Sequence, residues 1–307
     1  GRVCRALNIR AFLSGEGFLR ETDAMQLVGP PLGVTTVGYQ YSNLPKTHVV
    51  MMNTATTFLT FSDAYRDVFV RGEMGPEKVV VNGYPYDSSF ECLRERAATL
   101  RRRLVAAGAT FVIAFFDETV TPGKYGSLHP SDQQAEIEAL IGMLEDPTIA
   151  LVVKTQYRRN APSRLYPGHE QLKHVLDSGR YVELSNGSHR NSVFPAEAAL
   201  TADITIGHVF GATASLEAAL AGRRSLMLNP YGYRTMHDHV YDRAEVVCGS
   251  LEDALEAVRR YRVGDPAHAA LGDWTPILDY FDPIRDGESG RRMLHLLNDL
   301  VVNPEDE

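Results

Sequence analysis

At 307 residues, with 44% hydrophobic and 23% charged side chains, the chain is long enough to bury a large core and to form two domains. A formal net charge of −8 argues against a general nucleic-acid binder, because such proteins turn a basic face to phosphates. No apolar run approaches the roughly 18 residues of a membrane-crossing helix, and Cys4, Cys92 and Cys248 match no zinc spacing and suit a reducing compartment better than a disulfide framework. A secretory signal is not expected from these residues. The chain starts Gly1-Arg2 without an initiator Met, so residues are expected to be missing upstream.

Apolar runs of strand length alternate with amphipathic stretches of helix length, the pattern of parallel α/β architecture. The spacing predicts strands at 11–14, 34–41, 56–62 and 77–83, a helix over about 21–32, and a glycine-stopped helix in DAYRDVFVRGEMG. After GYPYDSS (83–89) comes FECLRERAATLRRRLVAAG, whose arginines read as the solvated face of a connecting helix. A second series follows. Strands are expected at 110–118 and 149–155 and in YVEL, DITIGHV, RSLML and AEVVC. Helices are expected over 132–145 and 213–221 and in GHEQLKHVLDSG, SVFPAEAALTA and SLEDALEAVRRYR. Two more, near 273–281 and 288–300, close the chain. The expected division is 1–88, a short and incomplete Rossmann-like domain, and 89–307, a complete doubly wound domain.

In open sheets of this kind ligands bind beyond the carboxyl ends of the strands. There the sequence puts Asp117 and Glu118, then Lys154 and Arg158, then His208 followed by the small-residue turn Gly211-Ala212-Thr213-Ala214-Ser215. Small residues at a helix start let backbone N–H groups approach an anion, and the helix dipole favours negative charge there. Lys154 and Arg158 would neutralise phosphate, Thr213 and Ser215 would donate to its oxygens, and Glu217 could accept from a ribose hydroxyl. Each residue also has a plainer reading. Thr213 serves as an ordinary N-cap, Glu217 suits a helix dipole, and Lys154 is a surface lysine.

The stretch ADITIGHVFGATASLEAALAGRRSLML (202–228) resembles the donor-binding half of GT-B glycosyltransferases. There an Asp-led strand, a Ser/Thr/Gly turn and a Ser-Leu-Glu-Ala helix precede a Gly-Lys/Arg-x-hydrophobic strand. FLTFSDAYRDVFVRGEMGPEKVVVNGYPYD is similar to the interdomain approach of that superfamily, and DPIRDGESGRRM resembles its Asp-Gly-x-x-x-x-Arg ending. The nearest flavour is bacterial surface-polysaccharide enzymes, the Kdo transferases and polyol-phosphate transferases. Many relatives carry a His-Pro pair after the strand matching 149–153, where this chain has KTQYRRN.

The resemblance implies a GT-B-like α/β fold of two Rossmann-like parallel-sheet domains, the first short or truncated. It implies a nucleotide-sugar donor and a saccharide or glycolipid acceptor, with no cofactor, no metal and no nucleic acid. Thr213, Ser215 and Glu217 would contact the nucleotide, with Lys154 near its phosphate. The expected location is the cytoplasm, extending to peripheral association with the inner membrane face. In such an enzyme a carboxylate or His deprotonates the acceptor hydroxyl. Glu16, between two glycines after the first strand, is the leading candidate against a plain turn carboxylate. Asp23 is the reserve, and His208 is a further candidate unless it bonds only within its turn. Gln40 and Ser42 could bind acceptor or donor hydroxyls, and Asp117 and Glu118 the sugar. MHDHVYD (236–242) suggests a metal through His237, Asp238 and His239, but residues two apart on a helix share no face. A loop closing over the nucleotide is the better use of NPYGYRTMHDH. Two competing functions remain: a nucleotide-sugar epimerase or hydrolase acting through Asp117, Glu118 and His208, and a non-catalytic nucleotide-sugar-binding module.

Overall fold

β-Branched and aromatic runs pair into two separate parallel sheets, one of four strands and one of six. The structure, a computed structural model, describes residues 2–15, 20–45, 53–69, 75–117, 128–186 and 193–302. Two compact units divide the chain. The first comprises 1–42, 46–89 and 278–307, and the second 43–45 and 90–277.

The first unit begins with α1 (Arg2–Ala6), β1 (Ala11–Ser14), α2 (Arg20–Val28), β2 (Thr35–Tyr39), β3 (Thr57–Thr60), α3 (Arg66–Phe69) and β4 (Lys78–Val81). Its strands lie in sequence order, β1-β2-β3-β4, each parallel to its neighbour. All of β3 is buried, as an inner strand covered on both faces should be. In β2, Gly38 leaves the space that Asn53 and Phe58 fill: a Cβ there would lie 2.6 Å from Asn53 Oδ1 and from Phe58 Cδ2.

The second unit contains α4 (Ser89–Ala106), β5 (Phe111–Phe116), α5 (Pro130–Gly142), β6 (Ile149–Tyr157), α6 (Pro162–Leu165), α7 (Glu170–Asp177), β7 (Tyr181–Asn186), α8 (Pro195–Thr201), β8 (Ile204–His208), α9 (Ala212–Leu220), β9 (Arg224–Leu228), α10 (Asp238–Tyr241), β10 (Val247–Cys248) and α11 (Leu251–Arg262). The sheet order is β7-β6-β5-β8-β9-β10. Counted from its own first strand this is 3-2-1-4-5-6, the doubly wound order of dinucleotide-binding folds. Side chains alternate between two cores. Phe111, Ile113 and Phe115 of β5 pack with α5, α7 and α11, whereas Val112, Ala114 and Phe116 pack with α4, α8 and α9.

Asp203, the aspartate that leads β8, acts as a staple. It accepts a fork from Arg101 at 2.8 and 3.0 Å and the Val112 N–H at 2.8 Å, which joins α4 and β5 to the start of β8.

The chain then returns to the first unit with α12 (Leu278–Phe281) and α13 (Ser289–Val302). Sequence spacing put this segment in the second domain. Its polar contacts explain the difference. Asp282 accepts the Tyr84 N–H at 2.9 Å, Ser289 Oγ donates to Tyr84 O at 2.7 Å, and Arg292 donates to Asn82 O at 2.6 Å. Arg292 also forks onto Asp286, so the Asp-Gly-x-x-x-x-Arg ending is a structural clasp on the loop after β4. Gly83 makes that approach possible. Its φ is +81°, and a Cβ would lie 3.1 Å from Arg292 Nη2.

Gly38→Ala should cost about 1–3 kcal/mol, because Phe58 and Asn53 are both fully buried and cannot move aside. Urea unfolding followed by far-UV circular dichroism measures it. Parent-like stability would mean that the strand tolerates a Cβ against Phe58.

Candidate functional site

The strand order of the second unit reverses between β5 and β8, and ligands of such sheets lie outside the carboxyl ends at that point. β5 runs out at Phe116 and β8 at His208. The residues that follow them, Asp117 and the Val209–Thr213 turn, therefore flank the crevice.

Period-two alternation separates the expected site residues onto the two faces of the sheet. On the α5 face, His208 Nε2 donates to Glu136 Oε2 at 3.2 Å, and both side chains are nearly fully buried. The Phe115 ring meets the imidazole edge-on, with centroids 5.9 Å apart. Beside them Gln133 donates to Asp117 at 2.6 Å. The loop after β9 reaches this face too. The Tyr231 hydroxyl donates to Asp132 in the first turn of α5. Tyr233 lies between Tyr231 and Phe210, with ring centroids at 5.5 and 4.4 Å.

On the opposite face Lys154, Glu197 and Glu217 form one cluster, with relative exposures of 6, 5 and 3%. Lys154 Nζ donates to Thr155 O at 2.8 Å, and Glu217 accepts the Ala196 N–H at 2.7 Å, capping α8 from α9. Glu197 pairs with Arg96 at 2.9 Å. Burial pushes the Lys154 pKa down to about 8, against the pull of Glu217 and Glu197. Burial raises that of Glu197, opposed by Arg96 and Lys154. The cluster balances charges that would be costly to bury singly.

α9 starts at the crevice, with Gly211 as its N-cap residue. Thr213 is half-buried, and its Oγ1 accepts the Asn43 N–H at 2.7 Å. Ser215 is fully buried and faces the sheet. Its Oγ would lie 2.9 Å from a Cβ on Gly207, which is why β8 carries glycine there. That hydroxyl has no hydrogen-bond partner among the described residues.

The structure thus puts Lys154 and Glu217 on the same face, but buried inside the unit, Lys154 bonded to the carbonyl of its own neighbour Thr155 and Glu217 to the Ala196 N–H. His208 and Asp117 lie on the other face. Arg158 is exposed in a 3-10 turn after β6. Asp23 is exposed on α2. Gln40 is buried within the first unit. It donates to Ser42 O at 2.8 Å and accepts the Phe61 N–H at 3.1 Å, so it ties strand ends together and presents no free amide to a ligand. Ser42 is half-buried. Glu16 and Glu118 lie outside the described residues.

His237 is fully buried and donates from Nε2 to Leu44 O at 2.8 Å, while His239 is exposed. Asp238 accepts from Thr235 Oγ1 at 2.6 Å. The three therefore do not converge, and no group of three or more His, Cys, Asp or Glu suited to a metal occurs among the described residues.

Sequence reasoning missed Glu136, Glu197 and Asn43. Glu197 was signalled by a lone charge in the apolar run PAEAAL, every residue of which from Ala196 onward is buried. Glu136 had no such mark in its polar surroundings, and Asn43 makes its contact across a long stretch of chain.

A cavity of about 370 Å³ opens at the β9 end, beside Asn229, Tyr233, Arg234, Asp238 and Tyr241. A larger groove of about 510 Å³ between α5 and α7 includes Arg180, at the amino-terminal end of β7 and away from these strand ends.

No protein-family model matches the chain, and no curated protein sequence does. Solved structures do. The wall teichoic acid polymerase TagF, as its H444N variant, is 13% identical over 89% of this chain and 70% of its own, with a TM-score of 0.56. The same variant soaked with CDPG matches over 98% of this chain and 91% of its own, at 9% identity and a TM-score of 0.55. HepE from Anabaena, in complex with UDP and glucose, is 13% identical over 94% and 78%, with a TM-score of 0.55. At this identity the likeness is one of fold, and the chain has their α/β architecture of two parallel-sheet units. No helix among the described residues is long and apolar enough to cross a membrane.

Two outcomes follow from the buried charges. Glu217→Ala should destabilise by about 3–5 kcal/mol, since it leaves Lys154 undercompensated and the α8 N-terminus uncapped; Glu217→Gln, which can still accept from Ala196, should cost less. For His237, burial lowers the pKa from 6.5 to about 4. Its contribution is fully present above about 6.5 and is lost as pH falls through about 4. Urea midpoints should therefore drop across that window in the parent and drop less in His237→Gln.

Proposed function

We propose that the chain is a glycosyltransferase that moves a sugar from a nucleotide-activated donor to a saccharide acceptor in surface-polysaccharide synthesis. One observation carries this reading. α9 begins with Gly211, Ala212 and Thr213 at the strand-order reversal of a 3-2-1-4-5-6 sheet, where backbone N–H groups and the helix dipole favour a diphosphate. The fold likeness to TagF and to HepE supports it, as does the 202–228 motif. Placement among Kdo-transferase-like and polyol-phosphate-transferase-like enzymes is the finer form of the proposal. It rests on the motif resemblance and on the TagF likeness.

In this mechanism the acceptor hydroxyl attacks the anomeric carbon, the bond from that carbon to the phosphate oxygen breaks, and the nucleotide leaves through its terminal phosphate. Glu16 is the proposed base for the acceptor proton, with Asp23 and His208 as alternates; general-base catalysis contributes about 10²–10⁴-fold. The start of α9 and the Thr213 hydroxyl would stabilise the leaving phosphate. Lys154 would contribute positive charge from beneath, screened by its two glutamates, and Arg158 from the surface. Asp117 and Ser42 are the proposed hydroxyl-binding groups. No metal is invoked for the leaving group.

A thermal-shift panel of CMP, CDP, UDP, GDP and ADP tests the donor site. A ligand at 100 times its Kd should stabilise by about 2.7 kcal/mol, and a nucleoside diphosphate should give the largest shift. Lys154→Ala should reduce that shift beyond its effect on the unliganded protein. Product analysis with and without a saccharide acceptor then separates transfer from hydrolysis or epimerisation. Parent-like shifts in Lys154→Ala and Thr213→Val together would place the pocket elsewhere.

A further inference from the structure

Three residues that leave the first sheet after β2, Asn43–Pro45, belong to the second unit. They are held there by four hydrogen bonds. The Asn43 N–H donates to Thr213 Oγ1 at 2.7 Å, and Asn43 Nδ2 donates to the Tyr241 hydroxyl at 3.2 Å. His237 Nε2 donates to Leu44 O at 2.8 Å, and the Met236 N–H donates to Pro45 O at 2.8 Å. Asn43, Leu44 and His237 are each at most 1% exposed. Behind them the His237, Tyr241 and Trp274 rings form an edge-on row, with centroids 5.9 and 5.7 Å apart. A carbonyl only accepts, so the contact to Leu44 O fixes His237 as the Nε2–H tautomer.

A hydroxyl carries one hydrogen to donate and two lone pairs to accept. With the Asn43 N–H on one lone pair of Thr213, the hydroxyl hydrogen is turned away from Asn43. Among the described residues that hydrogen meets no acceptor. Thr213 is the second residue of α9, at the crevice. Without the Asn43 N–H the same oxygen could equally act as an acceptor, which would repel an anion.

We propose that His237 is a positioning residue that seats Asn43–Pro45 so that the Asn43 N–H commits the Thr213 hydroxyl to donate to a nucleoside diphosphate. The inference rests on the donor-site reading above and adds to it the element that sets the polarity of Thr213. His237 does not touch the ligand. It acts through Leu44, Asn43 and Thr213 in turn.

The test is a double-mutant cycle read by calorimetric binding of UDP and CDP to the full chain, with urea unfolding as a check on folding. Thr213→Val should weaken the tighter of the two about tenfold, the equivalent of about 1.4 kcal/mol, and Thr213→Ser should stay near the parent. His237→Leu should weaken it by a similar factor, while His237→Gln, which keeps a donor for Leu44 O, should recover most of the affinity. In the Thr213→Val background His237→Leu should add little, because it acts through the missing hydroxyl. Asn43→Ala is the milder variant if His237→Leu does not fold. It should weaken binding about threefold through loss of the tie to Tyr241, and only when Thr213 is present. Parent-like binding by His237→Leu, or losses that simply add, would overturn the inference while leaving the donor site standing. Parent-like binding by Thr213→Val would overturn both.

Discussion

One ammonium and two carboxylates are removed from water together where the second sheet meets α8 and α9. Each would be expensive to bury alone, and the three are tolerable because Lys154 is attracted by both Glu197 and Glu217, with Glu197 also paired to Arg96. The arrangement also does mechanical work. Glu217 reaches from α9 to the Ala196 N–H in the first turn of α8, and Glu197 reaches from α8 to Arg96 on α4. Three helices are thereby fixed over the ends of β5, β6 and β8. The start of α9 inherits its position from that network, so whatever binds there meets a backbone already in place.

The sheet keeps two chemistries apart. His208 ends β8 and Lys154 lies three residues before the end of β6, and residue parity sends them to opposite faces. The α5 side holds the hydrogen-bonded pairs His208 with Glu136 and Asp117 with Gln133. The α9 side holds Lys154 with Glu197 and Glu217.

Much of the fold was legible because strand and helix periods differ and because glycines mark turns. Every strand expected from VTTVGYQY to RSLML exists, and the alternation of short apolar runs with helices sufficed to locate them along the chain. The membership of α12 and α13 was not legible. Nothing local in DPIRDGESGRRM shows that its Asp and Arg clasp each other and a loop two hundred residues earlier. The candidate site was half legible. Small residues at the start of α9 could be read directly. The orientation of Ser215 toward Gly207, and the engagement of Glu217 by Ala196, depend on packing between elements that no spacing reveals. A glutamate in an alanine-rich helix looked like a surface charge suited to a dipole. The better reading of EAAL preceded by apolar residues was a carboxylate facing inward, and PAEAALTA repeated the same signal.

The return of α12 and α13 to the first unit has a consequence for how the chain is made. Residues 90–277 form the bulk of one compact unit, whereas the other needs both the opening segment and 278–307. On the ribosome the six-stranded unit can consolidate once its last segment, through Trp274 and Ile277, has emerged. The four-stranded sheet must wait, with its β4 loop unclasped, until Asp282, Ser289 and Arg292 have been translated. The amino-terminal part of the chain is therefore the later of the two to mature.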